Sequence, residues 1–104
     1  MNIKESLIRL GLSKNDAALY LVLLEHGLTQ AGPLVKATKL HRMLVYEALD
    51  RLSDTGLVSV VHKKNIKLFQ ASDPSTFLER SRHIHELTAE LVGELRKKQK
   101  KADT

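Results

Sequence analysis

Residues 30–56 read QAGPLVKATKLHRMLVYEALDRLSDTG, and this stretch decides the fold. A helix can start near Gln30, because Pro33 then lies in the first turn, where its missing N–H breaks no hydrogen bond. The side chains that this helix is expected to bury are Leu34, Val35 and Ala37. A second helix follows the short connection 38–41 and ends at Thr55-Gly56, and its apolar face consists of Leu40, Val45, Leu49 and Leu52. Two helices joined by so short a turn predict a helix-turn-helix.

Two more helices are predicted before this stretch. The first ends at Gly11, and its apolar positions are Ile3, Leu7 and Leu10. The second has Ser13 as its N-cap, with Asp16 three positions on as an acidic variant of the capping box. Its apolar run 17–24 predicts the buried central helix of the core.

After Gly56 the hydrophobic pattern changes to that of strands. Residues 57–61 and 66–71 are β-branched and aromatic runs, and the polar segment 62–65 separates them, which predicts an antiparallel hairpin. Helices followed by such a hairpin are the order of a winged helix. The predicted fold is therefore mainly α with a small β-hairpin wing.

The last predicted element is a long helix with Asp73 as N-cap and Pro74 at its first position. It would be roughly 35 to 40 Å long, too long to pack wholly on a core of this size. Two arrangements are open: the helix folds back on its own domain, or it pairs with a second copy as a coiled-coil-like dimer, which we favour. The chain thus divides into a winged-helix domain, 1–72, and a dimerisation helix with a basic tail, 73–104. The expected dimer contacts are Phe77, Ile84, Leu87, Leu91, Val92 and Leu95.

The composition favours an anionic partner. The chain has 104 residues, 17 Lys and Arg against 12 Asp and Glu, and no cysteine. A length of this order holds one domain with one added element. The apolar run 17–24 is far short of the roughly 20 residues that a membrane span needs, so no membrane span is predicted, and we expect a cytoplasmic protein.

The positive charge is concentrated in two places. Residues 36–67 hold seven basic and three acidic side chains, and residues 96–104 hold five and one. Residues 68–95 hold two basic and five acidic ones. The predicted helix-turn-helix and hairpin therefore carry a net positive charge, which favours double-stranded DNA as partner.

The sequence contains no set of residues suited to catalysis or to metal binding. Of the five histidines, His83 and His85 are two apart on a helix and point to different faces. No glycine-rich phosphate loop and no set of nucleophile, base and orienting residue can be assembled. We predict no enzyme activity, no metal, no cofactor and no identifiable small-molecule effector.

The predicted DNA contacts follow from the helix-turn-helix and the hairpin. Arg42 is the main candidate for a base contact, since an arginine can donate two hydrogen bonds to guanine. Tyr46 is expected to contact a phosphate or a thymine methyl group, or to be half-buried packing. Glu47 and Asp50 lie on the same face and oppose binding. The full set is Gln30, Lys36, Lys39, His41, Arg42, Met43, Tyr46, Lys63, Lys64 and Asn65.

Several motifs resemble the N-terminal winged helix of TrmB-type transcriptional regulators over residues 7–75. They are LGLS at 10–13, RMLVYEALDRL at 42–52 and GLV at 56–58. The resemblance implies a dimer that binds promoter DNA, with the helix at about 41–54 in the major groove and the wing, about 62–66, on the backbone. Many members of this family continue into a sugar-sensing domain, and two alternatives stay open here: a natural one-domain form, or the N-terminal part of a longer protein.

Four departures from the family pattern lie in the helix-turn-helix, and Phe69 after the wing stands where the family frequently has tyrosine. Lys39 stands where the family often has glycine, and His41 where it often has proline. Met43 and Leu44 stand where small polar or basic residues are common. Two alternative functions therefore stay open: a protein-interaction module that uses this apolar pair, and a non-specific, chromatin-like DNA-binding protein.

Overall fold

The structure is a computed structural model that describes residues 1–103, and within them it has five helices and one hairpin. The elements are α1 (Ile3–Arg9), α2 (Lys14–His26), α3 (Ala31–Thr38), α4 (Arg42–Asp54), β1 (Val58–Lys63), β2 (Ile66–Ala71) and α5 (Thr76–Asp103). The predicted fold class is confirmed. The chain divides into one compact unit, Met1–Asp73, and a second that begins at Pro74.

Helix α2 is the centre of the first unit, where it contacts α1, α3, α4 and β2. Its Leu19 and Leu23 are fully buried, and each such leucine contributes about 1.5–3 kcal/mol by leaving water. The predicted burial of Ala37 is wrong, because it is exposed, and two of the apolar positions predicted for the first helix, Ile3 and Leu10, are exposed as well. Helix α1 has only seven residues and packs on α2, so Leu7 alone among its residues is buried.

The start of α2 confirms one half of the predicted capping box. The Ser13 hydroxyl accepts a hydrogen bond from the Asp16 N–H at 3.1 Å, which satisfies one of the free donors of the first turn. The Asp16 carboxylate, however, accepts from Arg51 of α4, with Nη2 at 2.8 Å from Oδ1 and Nε at 3.2 Å from both oxygens. This hydrogen bonding raises the pKa of Arg51. The ion pair joins the central helix to α4.

The connection between α3 and α4 is fixed by its own side chains. Lys39 adopts the left-handed conformation at φ 60°, and its N–H donates to the Val35 carbonyl at 2.9 Å. Thr38 donates its hydroxyl to the Leu34 carbonyl at 2.8 Å. Leu40 lies in this turn and is half-buried, so its assignment to the apolar face of α4 is wrong.

The hairpin pairs β1 with β2 in antiparallel register, from Val58 opposite Ala71 to Lys63 opposite Ile66. Only Lys64 and Asn65 form its turn, at φ 50° and 66°, as a type I′ turn requires. The predicted end of the first strand at Val61 is therefore two residues too early, because so tight a turn lets the ladder continue. Thr29 adds a short bridge by exchanging two backbone hydrogen bonds with Phe69, at 3.0 and 2.7 Å.

Helix α5 begins two residues later than the sequence predicts. Pro74 and Ser75 form a turn in which the Pro74 carbonyl accepts from the Phe77 N–H at 3.1 Å. The predicted N-cap at Asp73 is therefore wrong, since this tighter turn precedes the helix. The 28 residues of α5 correspond to about 42 Å. Within the described residues, no helix combines the length and hydrophobicity that a membrane span needs.

Candidate nucleic-acid interface

A groove of about 390 Å³ lies where α3, α4 and the hairpin meet. The N-terminus of α3 forms one wall, the first half of α4 a second, and β2 with its turn a third. Four of the predicted contact residues line it, namely Gln30, Arg42, Tyr46 and Asn65. Ala31, Gly32, Ile66, Lys67 and Phe69 complete the lining. The groove thus joins the helix-turn-helix and the wing into one surface.

Lys67 is a cation of this groove that the sequence analysis missed. Its ammonium group lies 5.6 Å from the centroid of the Phe69 ring, within the range of a cation–π contact. The two-residue period of a strand places Lys67 on the same face as the buried Phe69. This two-residue period predicts Lys67 as a groove residue only if Phe69 is already known to point into the core.

The N-terminus of α3 presents free backbone donors to the groove. Gln30 is the N-cap residue, and its side chain makes no capping hydrogen bond. The N–H groups of Ala31 and Gly32, which line the groove, therefore have no side-chain cap from Gln30. Such donors at the positive end of a helix favour an anionic ligand.

Arg42 is the first residue of α4, and its side chain is exposed. No hydrogen bond or ion pair holds its guanidinium within residues 1–103, whereas Arg51 on the same helix is held by Asp16. Tyr46 follows one turn later with 41% of its surface exposed. Arg42 is therefore available for a ligand, and Tyr46 presents part of its ring to the same groove.

His41 caps α4 and does not line the groove. Its Nδ1 accepts a hydrogen bond from the Met43 N–H at 3.2 Å. A ring nitrogen that accepts a hydrogen bond carries no proton, so the proton of the neutral ring lies on Nε2. His41 thus fixes the first turn of α4, a role that the sequence analysis did not assign to it.

The remaining predicted lysines are exposed and lie outside the groove lining. Lys36 is on α3 and Lys39 is its C-cap, while Lys63 ends β1 and Lys64 is in the hairpin turn. Lys36 and Lys39 thus lie toward the C-terminal end of α3, whose N-terminus lines the groove, and Lys63 and Lys64 lie at the tip of the hairpin. Among the described residues, no group of three potential metal ligands lies together.

The outward face of α4 is mixed in character. Its buried residues recur every three or four positions, and the opposite line of the helix carries Met43, Glu47, Asp50 and Asp54, all exposed. Positions spaced by three or four lie one above another on a helix. The first turn of this line is therefore apolar, and the later turns are acidic.

The predicted dimer residues lie along α5. Ile84, Leu87, Leu91 and Leu95 form one stripe and are 51–58% exposed, with Val92 beside it. Phe77 is half-buried, and the Arg80 guanidinium lies 6.0 Å from its ring centroid. The stripe is an apolar surface on a helix whose other exposed side chains are mostly polar.

Known structures share this fold. TrmBL2, an archaeal chromatin protein, aligns with a TM-score of 0.74 at 22% identity over 97% of this chain, which spans 38% of the length of TrmBL2. A possible transcriptional regulator from Methanosarcina mazei aligns with a TM-score of 0.72 at 16% identity, covering 90% of this chain and 86% of its own. The multiple antibiotic-resistance repressor MarR from Listeria monocytogenes aligns at 0.59 and 18% identity, covering 98% and 79%. These similarities show a winged-helix fold.

No curated protein matches the chain. The family model for the sugar-specific transcriptional regulator TrmB matches residues 7–75. The match spans all of α2, α3, α4 and the hairpin, which are the elements that build the groove. By this match, which covers more than half of its length, the chain belongs to the TrmB family of transcriptional regulators.

Proposed function

We propose that the chain regulates transcription by binding double-stranded DNA, with the first half of α4 in the major groove and the hairpin wing on the backbone. The observation that carries this proposal is the groove in which Arg42 and Tyr46 meet the wing and the N-terminus of α3. A surface of this kind offers base contacts and phosphate contacts side by side.

Backbone phosphates are proposed to bind at both ends of this surface. Gln30, Ala31, Gly32 and Lys67 line the groove, and the backbone N–H groups at the start of α3 and the Lys67 ammonium would bind a phosphate there. Lys36 and Lys39 extend the contacts on one side, and the turn lysines Lys63 and Lys64, with Asn65, on the other. These contacts set affinity and register, and they make binding depend on salt.

Arg42 is proposed to read a base. It is at the N-terminal end of α4, the part of a recognition helix that reaches base edges. Guanine offers O6 and N7 to the two arms of an arginine, and such a pair is worth about 1–3 kcal/mol of discrimination. The acidic line that begins at Glu47 keeps the C-terminal half of α4 away from phosphates, which restricts base contacts to the first two turns.

The protein is proposed to act as a homodimer through α5. The stripe of Ile84, Leu87, Leu91 and Leu95, with Val92 beside it, is an exposed apolar surface that a second copy would cover. Phe77 is the remaining predicted member of this contact. Two copies would present two recognition helices to half-sites about 34 Å apart.

The function is thus binding and not catalysis, and we place it in the cytoplasm, where bacterial and archaeal genomic DNA lies. TrmBL2 is a chromatin protein with its own mode of DNA binding, and this likeness supports non-specific binding as a second candidate. Sequence preference distinguishes the two candidates.

The test measures binding of fluorescent random duplex DNA and of a genomic fragment pool by anisotropy at low salt. Arg42→Ala is expected to weaken binding and to abolish preference among fragments, while Arg9→Ala, which removes an equal charge from α1, leaves both unchanged. Binding without preference in the wild type would favour the chromatin-like function. If neither DNA binds at low salt, the proposal fails and the protein-interaction function replaces it.

A further inference from the structure

The outward line of α4 has an apolar residue in its first turn, which we call the tip, and acidic residues in the later turns. Met43 occupies the tip and is 63% exposed. After Met1, it is the most exposed large apolar side chain of the unit Met1–Asp73. Glu47, Asp50 and Asp54 follow on the same line, so the helix can enter a phosphate-lined groove only with its first two turns.

Met43 has only its side chain to offer a ligand. Its backbone N–H donates to His41 Nδ1 at 3.2 Å, so that this group is occupied by the helix cap and does not contact DNA. The side chain is unbranched and polarisable and fits apolar surfaces of varied shape. In the major groove, the apolar group that a base pair presents is the C5-methyl group of thymine.

We infer that Met43 contacts the C5-methyl group of thymine, so that the preferred half-site carries a thymine near the guanine that Arg42 reads. The inference rests on the proposed DNA binding and adds the identity of a second base that the protein contacts. Arg42 and Met43 are adjacent residues in the first turn of α4, and together they supply one polar and one apolar contact. Leu44, which is 39% exposed, lies on the flank of the helix and is not part of the outward line.

The experiment uses the full chain and a duplex that it selects from a random-sequence DNA pool. The selected duplex is synthesised again with uracil in place of thymine within the half-site, which removes the methyl group and keeps the base pairing. Wild-type protein is expected to bind the uracil duplex about fourfold more weakly per half-site, the ratio that burial of one methyl group gives. A duplex with uracil only outside the half-site measures any effect of DNA shape.

Variants assign this difference to Met43. Met43→Ala is expected to bind the thymine duplex more weakly than wild type and to bind the thymine and uracil duplexes equally, whereas Met43→Leu keeps most of the preference. Leu44→Ala is the matched control, since it removes the neighbouring exposed apolar side chain and should keep the preference. Thermal unfolding confirms that each variant is folded, which is expected at exposed positions.

Equal binding of both duplexes by the wild type would overturn the inference and leave the proposed function intact. A preference for thymine that persists in Met43→Ala would also overturn it, because another side chain would then contact the methyl group. If the random pool yields no bound duplex at low salt, the proposed function itself fails.

Discussion

Two arginines of α4 have different surroundings. Arg51 donates to Asp16 at 2.8 Å, and the aspartate side chain is only 10% exposed while the arginine side chain is 51% exposed. Arg42 lines the groove, with no hydrogen bond or ion pair to any residue of 1–103. The same side-chain chemistry therefore serves stability at one position and ligand contact at the other.

We predict that Arg51→Ala lowers the free energy of unfolding by about 1–2 kcal/mol, because it leaves the Asp16 carboxylate without its partner in a largely buried place. Arg42→Ala should change the free energy of unfolding by less than about 0.5 kcal/mol. Urea denaturation measures both. An Asp16→Ala variant completes a double-mutant cycle, and a coupling energy near zero between positions 16 and 51 would contradict the prediction.

Lys39 combines backbone strain with a charge near the proposed DNA surface. It holds φ 60° at the end of α3, a conformation that glycine adopts without steric cost. Lys39→Gly is expected to raise the free energy of unfolding by about 0.5–1 kcal/mol and, at the same time, to weaken DNA binding. Lys39→Ala removes the same charge and keeps the strain, so it should weaken DNA binding equally without stabilising the fold. If Lys39→Gly and Lys39→Ala had equal free energies of unfolding, relief of backbone strain at position 39 would be ruled out.

Tyr20 makes the free energy of unfolding depend on pH in the alkaline range. Burial raises the pKa of its phenol above 10.0, and the negative charge of Asp73 adds to this effect. The neutral phenol is thus favoured in the folded state, so its contribution is fully present below pH 10 and is lost as the pH rises further. Between pH 9 and 11, the free energy of unfolding should fall less for Tyr20→Phe than for the wild type. Urea titrations at each pH measure this difference. Parallel pH profiles would contradict this assignment.

At the scale of elements, local signals in the sequence were sufficient for the order of the helices and strands. Ser13, Pro33 and Gly56 each mark a boundary through a hydrogen bond or a backbone angle that involves near neighbours. The pairing of Asp16 with Arg51 depends on how α2 packs on α4, across 35 positions, and no local pattern encodes it. The residues that line the groove were predicted only in part for the same reason, since Lys67 joins them only because Phe69 turns inward.

The ends of the hairpin and of α5 were mispredicted because of turn geometry. Lys64 is not a residue that marks a left-handed position, so the two-residue turn could not be read from the sequence as an Asn-Gly pair could. At Pro74, the ring fits a first helical position as well as a turn. Both errors shift a boundary by two residues and leave the elements in place.

The prediction for α5 concerns its apolar stripe. Leu91→Glu should convert the proposed dimer to a monomer, since a carboxylate would be buried in the contact. Leu78→Glu is the matched control, because Leu78 is 75% exposed on the same helix and lies off the stripe. Light scattering measures a mass near twice 11.7 kDa for the wild type and Leu78→Glu, and near that of one chain for Leu91→Glu. A monomeric wild type would contradict the proposed dimer.

At the scale of the whole molecule, the distribution of charge matters more than its sum. The net charge of +5 is an excess over many acidic residues, including the line of carboxylates on α4. Favourable contact with a polyanion therefore requires that the cations at the wing and near the end of α3 face the duplex while the acidic line does not. We propose that the winged helix binds DNA in an orientation that meets this condition.

This orientation predicts which lysines control the salt dependence of binding. Each phosphate that a lysine neutralises contributes about −0.9 to the slope of log affinity against log salt concentration. The pair Lys63→Ala and Lys64→Ala at the wing should make the slope shallower by about 1.8 for each protomer on the DNA. The pair Lys4→Ala and Lys14→Ala removes the same charge from α1 and α2 and should leave the slope unchanged. Anisotropy titrations between 50 and 200 mM salt measure both slopes, and equal changes in the two variants would mean that the protein attracts DNA by its net charge alone, without the proposed orientation.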